Sequence, residues 1–201
     1  MASEVGIANS CFRKIGSKNK IGTFDEGTAA ANFASDRYAE LRDELLRSHP
    51  WNVATKRAKL AKLSTGPTVP ADWNYFQLPS DHLRTVQIFD NDAGVGSVQY
   101  YEEDGKISAG REELWTTYIF QLTDPNQMTP DFREALAYKM AVEAAIDLVA
   151  SRALSERMED RFDKALLKAT STDAQSDGPR QLPRGSWVTE RFRGSNQVIS
   201  S

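Results

Sequence analysis

The stretch RDELLRSHPWNVATKRAKLAKL, residues 42–63, decides how this chain is organised. Its first part has the apolar spacing of an amphipathic helix and runs into Ser48-His49-Pro50-Trp51. Pro50 has no amide hydrogen and biases His49 away from helical geometry, so the helix is predicted to end there. The chain then continues as an extended, strongly basic segment. A helical part and an extended part are therefore expected to meet at Trp51.

The composition limits the classes of protein to which the chain can belong. Its 201 residues suit one domain with an insertion or two small domains, and 40% apolar residues are enough to bury a core. The net charge of −3 argues against a protein held on nucleic acid by bulk electrostatics. No apolar run is long enough for a membrane span, and residues 1–4 show no secretory signal. The single cysteine, Cys11, excludes an internal disulfide and is expected to be a core residue of a protein folded in a reducing cytosol.

Both ends of the chain show helical periodicity. Apolar residues recur at helical spacing after Ser3 and again from Thr28 to about Arg47, which predicts a hairpin of two helices. The segment 129–131, Thr-Pro-Asp, has the capping residue, the proline and the acid that favour a helix start. A fourth helix is predicted to follow from about residue 152. Its apolar face consists of Leu154, Met158, Phe162, Ala165 and Ala169.

The segment from Trp51 to about Leu122 has a different character, because turn signals multiply and β-branched and aromatic runs lie between them. Trp51 and Trp73 are expected to anchor this region to the helices. The sequence therefore predicts an α+β fold: a helical bundle built from both ends of the chain, with an inserted small antiparallel β-domain and an extended C-terminal arm. The predicted parts are residues 1–63 and 123–171 for the helical domain, 64–122 for the β-domain and 172–201 for the arm.

No convincing active site is visible in the sequence. His49 and His82 are the only histidines, and neither has other ligands at metal spacing. Carboxylates at 102–104 and 112–113 are of the type that glycosidases use, but charge beside a hairpin turn is much more often a solvated surface. There is no Gly-x-Ser-x-Gly nucleophile elbow and no phosphate-binding loop. We therefore expect a protein that is not an enzyme and uses no metal or cofactor.

The densest basic run lies soon after Trp51. Lysine and arginine neutralise phosphates, so a contact with DNA is one interpretation. The preferred interpretation is a solvated edge, or one half of a subunit interface whose other half is the acidic helical segment 36–44. The residues of this subunit or DNA contact are Lys56, Arg57, Lys59 and Lys62.

The segment 172–201 is too short and too polar to bury a core, yet it carries aromatic residues among arginines. These residue types dominate the energetics of protein interfaces. We expect the arm to become ordered against a partner protein or a neighbouring subunit, and the alternative is that its tryptophan folds back onto the helices. The candidate interface residues are Trp187, Val188, Arg191 and Phe192.

Four blocks of this sequence match, in order, those of a known family. The first is residues 42–52 followed by Lys56-Arg57-Ala58, and the second is WNYFQLPSD at 73–81 with Leu83-Arg84. The third runs through Tyr118-Ile119, Thr123-Asp124-Pro125, Pro130-Asp131-Phe132 and Ala135-Leu136-Ala137, and the last is Ser186-Trp187. In this arrangement the chain resembles the tail tubular protein A family, the head-to-tail adaptors of short-tailed phages. The tract 90–110 is the least distinctive.

The resemblance implies a structural protein of the virion. Members of the family assemble as a ring, usually of twelve copies, beneath the portal of a filled capsid, where they dock the tail nozzle and form part of the DNA ejection channel. It implies as partners the portal protein, a nozzle protein similar to tail tubular protein B, further copies of the chain and double-stranded DNA in the channel, with no membrane. The expected location is the head-tail junction of the virion, after assembly in the cytoplasm of the bacterial host.

Two other classes of function remain open at this point. One is a peptidoglycan hydrolase associated with the tail, and the other is a cytosolic DNA-binding module. The pI near 5.5 fits a channel that does not grip DNA, but many unrelated proteins share that value.

Overall fold

In the described part of the chain, four α-helices, two before and two after the strands, form the helical part of the protein. The computed structural model describes residues 1–18, 20–68, 70–94 and 96–176. Within them α1 spans Glu4–Lys14, α2 spans Ala29–Ser48, α3 spans Pro130–Asp147 and α4 spans Arg152–Gln175. Each helix begins after a residue whose hydroxyl accepts a backbone N–H bond, namely Ser3, Thr28, Thr129 and Ser151. The predicted helices are confirmed.

The end of α2 follows from the residues at 48–51. His49 is extended, with φ −142° and ψ 147°, as the residue before a proline should be. The last carbonyl groups of a helix lack hydrogen-bond donors within the helix, and here side chains supply those donors. The indole Nε1 of Trp51 donates to the carbonyl oxygen of Leu45 at 2.9 Å. Trp51 thus closes the helix and turns the chain through a short 3-10 turn, Asn52–Ala54, into the first strand.

Six antiparallel strands form one sheet in the described part of the chain. They are β1 Thr55–Lys62, β2 Asn74–Gln77, β3 His82–Phe89, β4 Tyr101–Glu103, β5 Lys106–Ala109 and β6 Leu114–Phe120. Their order across the sheet is β3-β6-β1-β2-β5-β4. Asp104 and Gly105, with φ 50° and 67°, make the tight turn between β4 and β5. The predicted fold class, α+β with a β-domain inserted between helices, is confirmed.

The described residues form two apolar clusters rather than one. The larger lies among the helices and includes Trp51 together with Ile119 of β6 and Leu122 just after it. The smaller is built from residues of the strands and the loops between them. Its members are Leu60, Phe76, Leu78, Ile88, Val98, Ile107, Ala109 and Leu114. The β-domain therefore has a core of its own and joins the helices at one end, through β6, the start of β3 and the chain after Trp51.

Three sequence expectations differ from the structure. The sheet begins at Thr55 rather than at residue 64, because the basic segment is a central strand held between β6 and β2. Helix α4 continues to Gln175, so residues 172–175 belong to it and not to an arm. Trp73 does not reach the helices, since it stacks on Tyr101 with ring centroids 5.3 Å apart. Residues 177–201, with the rest of the predicted arm, lie outside the described residues.

Replacing Trp51 with alanine should destabilise the whole protein. Trp51 is 1% exposed and packs edge-on against Phe132, with ring centroids 5.0 Å apart. Truncating a buried tryptophan leaves a cavity and typically costs about 3–5 kcal/mol. Trp73→Ala is the matched control and should cost about 1 kcal/mol, since mainly the stack on Tyr101 is lost. Urea unfolding measures the free energy of unfolding of both variants. Equal losses in the two would show that Trp51 does not anchor the sheet to the helices.

Candidate functional site

The junction between helices and sheet brings together parts of the chain that are distant in sequence. We call the contacts among the end of α2, residues 49–56, the start of β3, the end of β6 and the start of α3 the junction. The backbone N–H of Gln121 donates to the carbonyl oxygen of Asp81 at 2.7 Å, and its side-chain amide donates to Asp43 of α2 at 2.6 Å. Arg84 donates to the carbonyl oxygen of Arg47 at 2.7 Å. These bonds fix the sheet against the last turns of α2.

Asp81 is the centre of a polar cluster at the junction. One carboxylate oxygen accepts from the hydroxyl of Tyr118 at 3.0 Å, and the other accepts from Lys56 Nζ at 2.8 Å. Lys56 Nζ also lies 3.7 Å from the ring centroid of Phe120, a cation–π arrangement. The geometry suits a stable ion pair at the edge of the sheet.

The protonation states of this cluster follow from its contacts. The hydrogen bond from Lys56, followed by that from Tyr118, lowers the pKa of Asp81 below its usual value. Burial, followed by the bond to Asp81, raises the pKa of Tyr118 to about 12. Burial lowers the pKa of the neighbouring His82. Near neutral pH the carboxyl is therefore charged and the phenol protonated, and neither group exchanges protons as a general acid or base would.

Asp173 fastens the last turn of α4 to the junction. Its carboxylate oxygens lie 3.2 and 3.1 Å from the backbone nitrogen of Asn52, and the Asn52 side-chain amide donates to its carbonyl oxygen at 2.8 Å. His49 Nε2 lies 3.5 Å from the same carboxylate. Asp173 is 8% exposed, so this is a buried contact. The chain therefore leaves the described structure beside the point where α2 ends.

The basic run is largely neutralised within the chain. Lys56 pairs with Asp81, while Lys59 pairs with Glu113 at 2.6 Å and Lys62 with Glu112 at 2.6 Å. Arg57 is exposed and makes no salt bridge with another described residue. Antiparallel pairing of β1 with β6 brings the carboxylates of 112–113 alongside these lysines. The run as a whole therefore does not form a free basic surface.

In the acidic segment of α2, three of the four carboxylates have salt-bridge partners among the described residues. Glu44 pairs with Lys139 of α3 at 2.8 Å, Glu40 pairs with Arg37, and Asp43 pairs with Arg42 at 2.8 Å. Within one chain the structure does not bring the basic run and the acidic segment together. Because most of their charges already have partners, a subunit interface between them would have to exchange existing pairs for new ones.

The arm residues Trp187, Val188, Arg191 and Phe192 lie outside the described residues, and their predicted role stays a prediction. Sequence reasoning missed Asp173, which it assigned to the arm, because an aspartate among polar residues gives no signal of burial. Asp81 was recognised only as part of the second block of the resemblance.

The described ranges hold no group of three or more histidine, cysteine or acidic side chains that could bind a metal ion. None of the described helices is long and apolar enough to cross a membrane.

Comparison with models of known protein families gave no match for this chain, and neither did comparison with curated proteins. The three described blocks of the resemblance can instead be traced on the structure. The first holds the end of α2 and the start of β1, the second holds β2 and the start of β3, and the third holds the end of β6 and the start of α3. All three meet at the junction, through Trp51 and Phe132 and through Asp81, Lys56 and Tyr118.

Replacing Asp81 with asparagine should weaken the acid dependence of stability. The pKa of Asp81 is lower in the folded protein than the ordinary value of 3.8, so as the pH falls the unfolded chain takes up a proton first. The contribution of ionised Asp81 to the stability of the folded protein is present above about pH 4 and is lost as the pH falls through the folded pKa. We expect wild type to lose more stability than Asp81→Asn between about pH 5 and about pH 3 in urea unfolding.

Asp92→Asn, at an exposed turn of the same domain, is the control for the removal of a carboxylate. Equal acid dependence in wild type and Asp81→Asn would show that the ion pair with Lys56 does not stabilise the junction.

Proposed function

We propose that the chain is a structural virion protein, a head-to-tail adaptor that forms a ring between the portal and the tail nozzle and lines the DNA ejection channel. One observation carries this proposal: the matching blocks are far apart in sequence, yet their residues contact one another at the junction. If the degenerate motifs matched by chance, the matched residues would not be expected to contact one another. Residues that preserve a joint between two domains would be shared by proteins with the same architecture.

The contacts of the junction suit a structural role. Its charged groups are held in fixed pairs, and Asp81 and Tyr118 keep their protonation states near neutral pH. A buried tryptophan, a capped helix end and paired charges resist deformation, which a protein placed between two large assemblies requires. The same features give no support to the peptidoglycan hydrolase, since a hydrolase needs an acid and a base that transfer protons at the working pH.

The pairing of the basic run also bears on DNA. A DNA-binding module holds phosphates with cations that lack internal partners. Here Lys56, Lys59 and Lys62 each have a carboxylate within 2.8 Å. At β1 this favours a surface past which DNA can slide over one that grips it, in line with the role of a channel.

In this proposal the segment after Ser176 supplies the contact with the portal or a neighbouring subunit, through Trp187, Val188, Arg191 and Phe192. Asp173 determines where that segment starts, because it holds the end of α4 against Asn52. The nozzle is the partner expected on the opposite side of the ring.

Removing residues 177–201 should abolish co-sedimentation with portal rings encoded by the same genome, while the melting temperature stays nearly unchanged. The cut leaves Asp173 and its contacts with Asn52 in place. A chain cut before residue 172 is the matched control and should melt at a lower temperature, because it loses that buried contact.

Undiminished portal binding by the chain that ends at Ser176 would show that the docking contact lies elsewhere. A full-length chain that does not bind portal rings, or a genome that encodes no portal protein, would overturn the proposed function.

A further inference from the structure

Helix α4 carries two exposed rows of opposite charge. One side of the helix is covered, with Ser155, Met158, Ala169 and Asp173 buried. On the remaining surface, residues spaced i, i+4, i+7 and i+11 line up along the helix. The basic row consists of Arg157, Arg161, Lys164 and Lys168, all exposed. The acidic row consists of Glu156, Asp160 and Asp163 with Leu167 at its end, also exposed.

In the described part of the chain, the middle of both rows makes no salt bridge. At the ends, Lys168 pairs with Asp131 at 2.9 Å and Glu156 pairs with Arg152 at 3.2 Å. Among the described residues no salt bridge is made by Arg157, Arg161, Lys164, Asp160 or Asp163. This contrasts with β1, where three of the four basic residues are paired.

The surroundings of the rows point to a protein partner. Leu167 is 72% exposed, an unusual position for a large apolar side chain on a charged surface. On the other side, two shallow grooves of about 320 and 360 Å³ flank Tyr138 along the basic row. The charged groups that face this row from other elements are Lys14, Glu134 and Asp131. Lys14 and Glu134 pair with each other, and Asp131 pairs with Lys168.

The two rows are in register with each other. Each member of the acidic row directly precedes a member of the basic row: 156 and 157, 160 and 161, 163 and 164, 167 and 168. One residue advances an α-helix by about 1.5 Å and turns it by about 100°. Two parallel α4 helices at the same height would therefore bring every acidic-row residue level with a basic-row residue of the neighbour, to within about 1.5 Å. Copies related by rotation about an axis parallel to the helix lie at the same height.

We propose that α4 of one copy packs beside α4 of the next copy, parallel to it, with the basic row of one facing the acidic row of the other. The occupant of this surface is thus a second copy of the chain. Because the rows point in different directions, each copy can contact one neighbour through each row, which is the head-to-tail contact that a ring needs. Leu167 would cover the aliphatic stem of Lys168 of the next copy.

This inference deepens the proposed function, because it names the surface through which the proposed ring would close. Complementary charges determine order and orientation more than affinity, and exposed ion pairs are weak. Isolated chains are therefore expected to be largely monomeric at micromolar concentration and to associate when concentrated or when held on a portal.

The arrangement can be tested by cross-linking full-length chains. Asp160→Cys and Arg161→Cys chains are mixed at high concentration and treated with a short bismaleimide, with the buried Cys11 as the sole native thiol. The mixture should give covalent dimers about tenfold faster than either chain alone, because position 160 faces 161 of the neighbour and not another 160. Asp160→Cys mixed with Thr172→Cys is the control and should not cross-link faster, since the two positions differ in height by about 18 Å.

Charge reversal tests the pairing itself, with Glu156→Cys and Arg157→Cys as reporters. Reversing the acidic row (Asp160→Lys with Asp163→Lys) or the basic row (Arg161→Glu with Lys164→Glu) should remove the rapid cross-linking. A chain with both rows reversed should regain it, and so should a mixture of the two singly reversed chains. All four positions are exposed, so melting temperatures should change little.

The outcomes separate this inference from the proposed function. Cross-linking that is equally fast in single-cysteine samples, or absent both in free protein and on portal rings, would overturn the α4 contact and leave the adaptor proposal standing. Specific cross-linking without portal binding would support the contact and overturn the adaptor proposal. If reversing the basic row abolishes retention on DNA and leaves cross-linking unchanged, the row is a nucleic-acid contact and the inference is wrong.

Discussion

The burial of Trp51 at a helix end closed by proline is the constraint on which the rest of the structure depends. Pro50 stops α2 without a glycine cap, so carbonyl oxygens at the end of the helix need donors from elsewhere. The indole of Trp51 supplies one to Leu45, and Arg84 supplies another to Arg47. Trp51 can reach Leu45 only if the chain turns back at once, and this turn sends β1 into the centre of the sheet. The same ring packs on Phe132 and so positions α3.

Much of the fold could be predicted because its local signals agree with its tertiary contacts. Capping hydroxyls and 3.6-residue periodicity locate all four described helices, and Asp104-Gly105 locates a hairpin. The start of the sheet could not be predicted in this way. In β1 only Ala58, Leu60 and Ala61 are apolar, and a lysine-rich strand gives almost no alternation for a pattern to detect. Its place in the sheet comes from pairing with β6 and β2, which are distant in sequence.

The candidate site shows a similar division. The sequence identified the charged segments but not the partners that neutralise them, since those partners depend on strand register. Lys59 and Glu113 are neighbours only because Lys59 pairs with Trp115 across β1 and β6. Among the described residues, a row of cations without salt-bridge partners lies instead on α4, where acids and bases alternate so closely that the net charge of the segment conceals the two rows. The density of charge in a sequence is therefore a poor guide to which charges remain available for a partner.

Asp173 connects the charged surface of α4 to the junction. This residue ties the end of α4 to Asn52, so the direction of α4 is fixed with respect to the junction. If neighbouring copies pack through parallel α4 helices at one height, their junctions also lie at one height, and so do the points at which residues 177–201 begin. All copies would then offer those segments toward the same face of the ring. A docking segment repeated on one face is what a ring needs in order to bind another ring, because each weak contact is then multiplied by the number of copies held together.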